Sequence, residues 1–147
     1  MDNKQKGDIT ELESIQAFIE LGCSVSTPYG CHEKYDFIAD IGGELIRVQC
    51  KTSKSYHDGD CFIFDSRMKQ YSNGKRSFAH YDEGDFDYYA TTYEGKCYLV
   101  PFNECYSRKV LRLRPSKVLD RVTFNWAKDY ELEKTINELK VRQKDER

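Results

Sequence analysis

The chain has 147 residues, 39% of them hydrophobic, 33% charged and 14% aromatic, with a formal net charge of −2. That length accommodates one domain, expected over residues 1–147, and the share of core-forming residues excludes a disordered chain. No apolar run approaches the ~18 residues of a membrane span, and the opening residues lack a signal-peptide pattern, so a soluble, cytoplasmic protein is expected.

The first expected element is a helix over about residues 9–21, ended by Gly22, as glycine commonly ends helices. At about 100° per residue, Leu12, Ile15, Phe18, Ile19 and Leu21 share one side, and Glu11 projects into it. Asp8 with Glu11, and Thr10 with Glu13, both have capping-box spacing; if the second pair forms the box, Glu11 is free to face a sheet. A carboxylate on an apolar face is costly unless something pairs with it.

Short strands follow over residues 24–27, 35–41 and 44–52, the last two joined by Gly42-Gly43, which suits a tight hairpin turn. Another strand covers 60–65, and a polar, basic stretch runs over 67–77. Residues 86–93 and 96–102 form a second hairpin around Glu94-Gly95, and 130–144 reads as a helix with Leu132, Ile136 and Leu139 on one stripe. Helix, strands, helix in that order predict an α/β (α+β) domain with a mixed β-sheet.

The small net charge hides an alternation. Residues 1–50 carry a net −5, 51–80 +3, 81–105 −5 and 106–147 +5, the last concentrated in Arg108, Lys109, Arg112, Arg114, Lys117 and Arg121. A polyanion needs local positive potential rather than a high overall pI. The six cysteines have no C-x-x-C spacing, so reduced thiols are expected rather than a disulfide framework or a structural zinc site.

Side chains alternate faces along a strand. In 35–41 that puts Asp36, Ile38 and Asp40 opposite Phe37, Ala39 and Ile41; in the partner strand it puts Arg47, Gln49 and Lys51 opposite Ile46, Val48 and Cys50. The tight turn then sets Asp36 against the Gln49–Lys51 end. A solvated sheet face would show the same alternation, but Glu11 on the preceding helix adds a second carboxylate. Two carboxylates, an amide oxygen and the backbone carbonyl of Cys50 are hard donors that suit Mg²⁺, and a neighbouring lysine can orient water or stabilise charge on a phosphorane.

These residues resemble the PD-(D/E)xK nuclease superfamily: Tyr35-Asp36-Phe37-Ile38-Ala39-Asp40, then Gly42-Gly43, then Arg47-Val48-Gln49-Cys50-Lys51-Thr52-Ser53. More narrowly they resemble its group I intron homing endonucleases, in which Gln replaces the acidic residue before x-Lys. Lys6-Gly7-Asp8-Ile9-Thr10-Glu11-Leu12, Val25-Ser26-Thr27-Pro28 and Tyr98-Leu99-Val100-Pro101 extend the likeness over roughly residues 6–103. A more distant likeness is to Holliday junction resolvases.

The resemblance implies a restriction-endonuclease-like core and a metal-dependent DNA endonuclease. It implies catalytic Glu11, Asp36, Gln49 and Lys51, with Glu11, Asp36, Gln49 and the Cys50 carbonyl around Mg²⁺, for which Mn²⁺ substitutes. Tyr35 stands where the motif has proline, and neutral Gln49 removes one negative charge, which keeps open an inactive DNA-binding or protein-interaction module on the nuclease fold; the more distant likeness keeps open a resolvase-like enzyme. Phosphates are bound by Lys and Arg, and Lys54, Arg67, Lys69, Lys75 and Arg76 follow the motif strand as candidate contacts to double-stranded or branched DNA. One pocket cuts one strand, so a double-strand break implies a homo-oligomer, dimer or tetramer.

Overall fold

The computed structural model describes residues 1–115 and 125–146. Helix α1 spans Asn3–Glu20, beginning well before the predicted start. The reason is a capping box that the sequence reading placed elsewhere. Asp2 Oδ1 accepts the Gln5 N–H at 2.8 Å, and Gln5 Oε1 accepts the Asp2 N–H at 3.0 Å. Thr10 and Glu13 therefore lie inside the helix and cap nothing.

The buried stripe of α1 also differs from the expected one. Thr10, Ser14 and Phe18 are buried, whereas Leu12 and Ile19 are 66% and 56% exposed. The hydroxyls of Thr10 and Ser14 donate to the carbonyls of Lys6 and Thr10 at 3.0 and 2.7 Å. Satisfied within the helix, these short side chains can face the sheet without an unpaired polar atom.

Among the described residues, ten strands and a second helix follow: β1 (Ser24–Ser26), β2 (Phe37–Ile41), β3 (Glu44–Cys50), β4 (Lys54–Tyr56), β5 (Cys61–Asp65), β6 (Met68–Ser72), β7 (Lys75–Ala79), β8 (Tyr88–Tyr93), β9 (Lys96–Pro101), β10 (Arg108–Arg112) and α2 (Leu132–Asp145). The main sheet has the order β1-β2-β3-β8-β9, antiparallel except for the parallel pair β3-β8. A second sheet has the order β10-β5-β4, and β6-β7 stand apart as a two-stranded ribbon.

The β2–β3 hairpin turns at Gly42-Gly43, with φ of 60° and 98°. Its register sets Phe37 opposite Val48 and Ala39 opposite Ile46. These apolar residues form one core with Phe18 of α1 and with Leu132, Ile136 and Leu139 of α2, so both helices cover one face of the main sheet. The other face, through Tyr89, Tyr98 and Val100, packs on Phe62, Phe64 and Leu111 of the second sheet. All six cysteines are free, and among the described residues no helix is long and apolar enough to cross a membrane.

Strands β4 and β10 and the ribbon are additional to the predicted elements. Of the basic run from 108 onward, Lys117 and Arg121 lie outside the described residues. Lys109 is 7% exposed, its ammonium 3.1 Å from the Glu104 carbonyl and 5.0 Å from the centre of the Tyr130 ring, which makes it a packing residue.

Candidate active site

Strand β3 ends at Cys50, where the chain leaves the main sheet for β4 of the second sheet. The junction is held by the Lys51 N–H, which donates to the Ala90 carbonyl at 2.9 Å, and by the Ser53 hydroxyl, which donates to the Thr92 carbonyl at 2.6 Å. Asp36 immediately precedes β2, and its N–H donates to the Val48 carbonyl at 2.8 Å. Its carboxylate Oδ2 accepts the Cys50 N–H at 2.7 Å. The hairpin thus brings Asp36 to the same end as Gln49, Cys50 and Lys51.

Electrostatics reports the neighbourhood these groups share. Burial raises the pKa of Asp36, while the Cys50 N–H and the Lys51 charge act to lower it. Burial also raises Glu11 on α1, and the negative charges of Asp36 and Asp8 push it in the same direction. Burial lowers Lys51, and Asp36 is the leading charge opposing that shift. The Asp36 charge thus acts on both the Glu11 carboxylate and the Lys51 ammonium.

Direct contacts follow a different pattern. Among the described residues, Asp36 forms no ion pair with Lys51. The Lys51 ammonium instead donates to the Arg67 carbonyl at 3.2 Å and to the Tyr81 hydroxyl at 3.1 Å, and lies 4.9 Å from the centre of the Tyr81 ring. Gln49 donates its amide N–H to the Cys50 carbonyl at 3.4 Å. Thr10 of α1 meets Thr52 at 3.3 Å between hydroxyl oxygens, so the helix is moored to the strand just beyond Lys51.

Tyr81, one of the aromatics that the sequence interleaves with the basic stretch, enters this cluster as a partner of Lys51, a pairing that the sequence did not mark. Burial and then the Asp36 charge push its hydroxyl pKa far up, so it stays protonated. Its ring packs edge-on against Phe86 and Tyr89, at centroid separations of 4.9 and 6.4 Å. Nothing in the local sequence marks a tyrosine 30 residues beyond Lys51 as its partner; only the packing of the second core brings it there.

The predicted basic contacts divide into two sets. Lys54, Lys69, Lys75 and Arg76 are exposed. The Arg67 guanidinium instead gives two hydrogen bonds to Asp65, Nε to Oδ1 at 3.0 Å and Nη2 to Oδ2 at 2.8 Å. Among the described residues, no three Asp, Glu, His or Cys side chains gather as a metal-binding group. The candidate pocket has two carboxylates and otherwise neutral oxygens, as a glutamine at position 49 dictates.

A mixed sheet with both helices on one face, carrying this Asp-then-Gln-x-Lys hairpin, defines the restriction-endonuclease-like class. The PD-(D/E)XK endonuclease family profile matches residues 1–133, and the chain belongs to that family. Among solved structures, the chain is similar to the bacterial homing endonuclease I-Ssp6803I, at a TM-score of 0.74 and 22% identity, over 100% of this chain and 98% of that one. No curated protein matches the sequence.

Proposed function

We propose that Glu11, Asp36, Gln49 and Lys51 form the catalytic pocket of a homing-type DNA endonuclease that hydrolyses phosphodiesters with Mg²⁺, for which Mn²⁺ substitutes. The observation that carries the reading is the position of Asp36, coupled electrostatically to both Glu11 and Lys51 at one end of the β2–β3 hairpin. Mg²⁺ takes one or two carboxylates and keeps waters or phosphate oxygens at its other positions. Glu11, Asp36, the Gln49 side-chain oxygen and the Cys50 carbonyl suit it.

A divalent ion held there supplies charge neutralisation at the phosphate and a more acidic water. The chain's own groups do the rest. Asp36 spends Oδ2 on the Cys50 N–H, which fixes the carboxylate and leaves Oδ1 for the ion. Lys51, steadied by the Arg67 carbonyl and the Tyr81 hydroxyl, orients the attacking water and stabilises charge on the phosphorane. Lys54, Lys69, Lys75 and Arg76, with Arg67 beside them, contact DNA. Cutting both strands takes two pockets, hence a homo-oligomer, dimer or tetramer.

The neutral Gln49 favours a second reading, a DNA-binding module on this fold without turnover. The two are separated by incubating the purified protein with plasmids carrying random inserts and with four-way junctions, in Mg²⁺, Mn²⁺ or EDTA. The endonuclease reading expects metal-dependent cutting at one long site, absent in EDTA and in Lys51→Ala. Junction cutting regardless of sequence would make the enzyme resolvase-like. Binding without cutting in either metal, retained by Asp36→Ala, would leave the module.

A further inference from the structure

The β6–β7 ribbon is an anomaly of packing. Every residue from 69 to 78 is exposed, so both faces meet solvent. A lone two-stranded hairpin is at best marginal in water. Asn73 and Gly74 turn it tightly, with φ of 52° and 73°. Residues 67–80 contain no acid, and among the described residues Lys69, Lys75 and Arg76 make no ion pair. Directly paired residues share a face, so Lys69 with Phe78 and Tyr71 with Arg76 form one face, and Gln70 with Ser77 and Ser72 with Lys75 the other.

We infer that this ribbon enters the major groove of the DNA and reads base edges with the Lys69, Tyr71 and Arg76 face; the inference rests on the endonuclease reading above. The dimensions agree. Paired strands lie about 4.7–4.9 Å apart, and five residues extend about 17 Å. The major groove is about 12 Å wide and admits such a ribbon. Met68 and Ala79, paired at the ribbon's base, are only half-exposed, whereas Lys69, Tyr71 and Arg76 are all exposed along their shared face.

Cation–ring contacts line that face. The Arg67 guanidinium stacks 4.1 Å from the centre of the Phe78 ring, with Arg76 at 5.2 Å from the same ring. Asp65 fixes Arg67 from below through the two hydrogen bonds already described. Arginine is the commonest reader of guanine O6 and N7, and Arg76 is an exposed ribbon arginine without an ion pair among the described residues.

The roots of the ribbon tie it to the chemistry. Arg67, just before β6, and Tyr81, just after β7, are the two residues that hold the Lys51 ammonium. A ribbon seated in the groove thus sets the bases it reads beside the phosphate that is cut, within about five base pairs given its length.

The test begins with a duplex enriched by repeated binding from a random-sequence pool, in Ca²⁺. Dimethyl sulfate methylates guanine N7 in the major groove and adenine N3 in the minor groove, so one reagent separates the two. Wild type is expected to lose binding to guanine-methylated duplex near the cut. Arg76→Ala and Lys69→Ala should each lose that interference at particular bases. Arg76→Ala should lower preference for the enriched duplex over a scrambled one by roughly 5- to 150-fold. Lys140→Ala on α2 should change neither, and melting temperatures should match throughout.

Interference confined to adenine N3, or a wild-type guanine pattern in both ribbon variants, overturns the inference. Metal-dependent cutting with an unchanged pattern overturns the ribbon assignment alone. The expected ribbon pattern without cutting in any metal supports the ribbon as a DNA reader and overturns the endonuclease reading.

Discussion

The Lys51 ammonium donates a 3.1 Å hydrogen bond to the Tyr81 hydroxyl and lies 4.9 Å from the centre of the same ring. Removing only the oxygen separates anchoring from packing. Tyr81→Phe keeps the ring against Phe86 and Tyr89. It should change the melting temperature little and slow cleavage roughly tenfold, the worth of about 1.5 kcal/mol for a charged hydrogen bond. Tyr81→Ala should add about 3 kcal/mol of destabilisation by removing the ring. Single-turnover rates and denaturant curves measure the two effects; a Tyr81→Phe rate equal to wild type would show that Lys51 needs no anchor.

Lys51 itself is partly buried, and desolvation disfavours its charge. Lys51→Met keeps the apolar stem and removes the ammonium. Cleavage should fall by about 10²–10³-fold, the usual cost of removing a group that stabilises developing charge. Stability should hold or rise, because a desolvated charge without an ion pair is gone. A large fall in melting temperature would show that the ammonium serves packing instead.

The Asp65 carboxylate tests the root of the ribbon by pH. Hydrogen bonds from the Arg67 side chain, foremost, bring its pKa down from 3.8 to about 2. A depressed carboxylate contributes stability that is present above its unfolded value and lost as pH falls through the folded one. The stability gap between wild type and Asp65→Asn should therefore be constant above about pH 5 and narrow between about pH 4 and pH 2. A gap independent of pH in that window would mean that Arg67 binds a neutral amide as well as the carboxylate.

Helix α1 carries Glu11 and is seated by Phe18, which is 0% exposed and meets the Phe37 ring edge-on at 5.3 Å. Phe18→Ala should cost about 3–5 kcal/mol. Ile15, only partly buried against the same core, should cost less when changed to Ala. Chemical denaturation of both variants checks the order, and a reversed order would mean that α1 rests on a different stripe.

The β2–β3 hairpin is legible in sequence because Gly42-Gly43 and the Phe37, Ala39, Ile46, Val48 alternation carry turn and register together. The helix stripe is not, because Thr10 and Ser14 are polar by residue type and become core residues only through bonds to their own helix. The ribbon escapes an apolar-alternation reading because neither of its faces is buried; Asn73-Gly74 is its one local signal. Asp36, Gln49 and Lys51 lie on one hairpin and can be placed from sequence. Tyr81 and the Arg67 carbonyl reach Lys51 only through tertiary packing, so no spacing announces them.

Anomalous diffraction from a crystal of the protein soaked in Mn²⁺ tests the central claim most directly. A manganese peak bounded by carboxylate oxygens of Glu11 and Asp36, beside the Cys50 carbonyl and lost in Asp36→Asn, is the predicted result. Manganese bound elsewhere, or bound between the same elements and unaffected by Asp36→Asn, would contradict it.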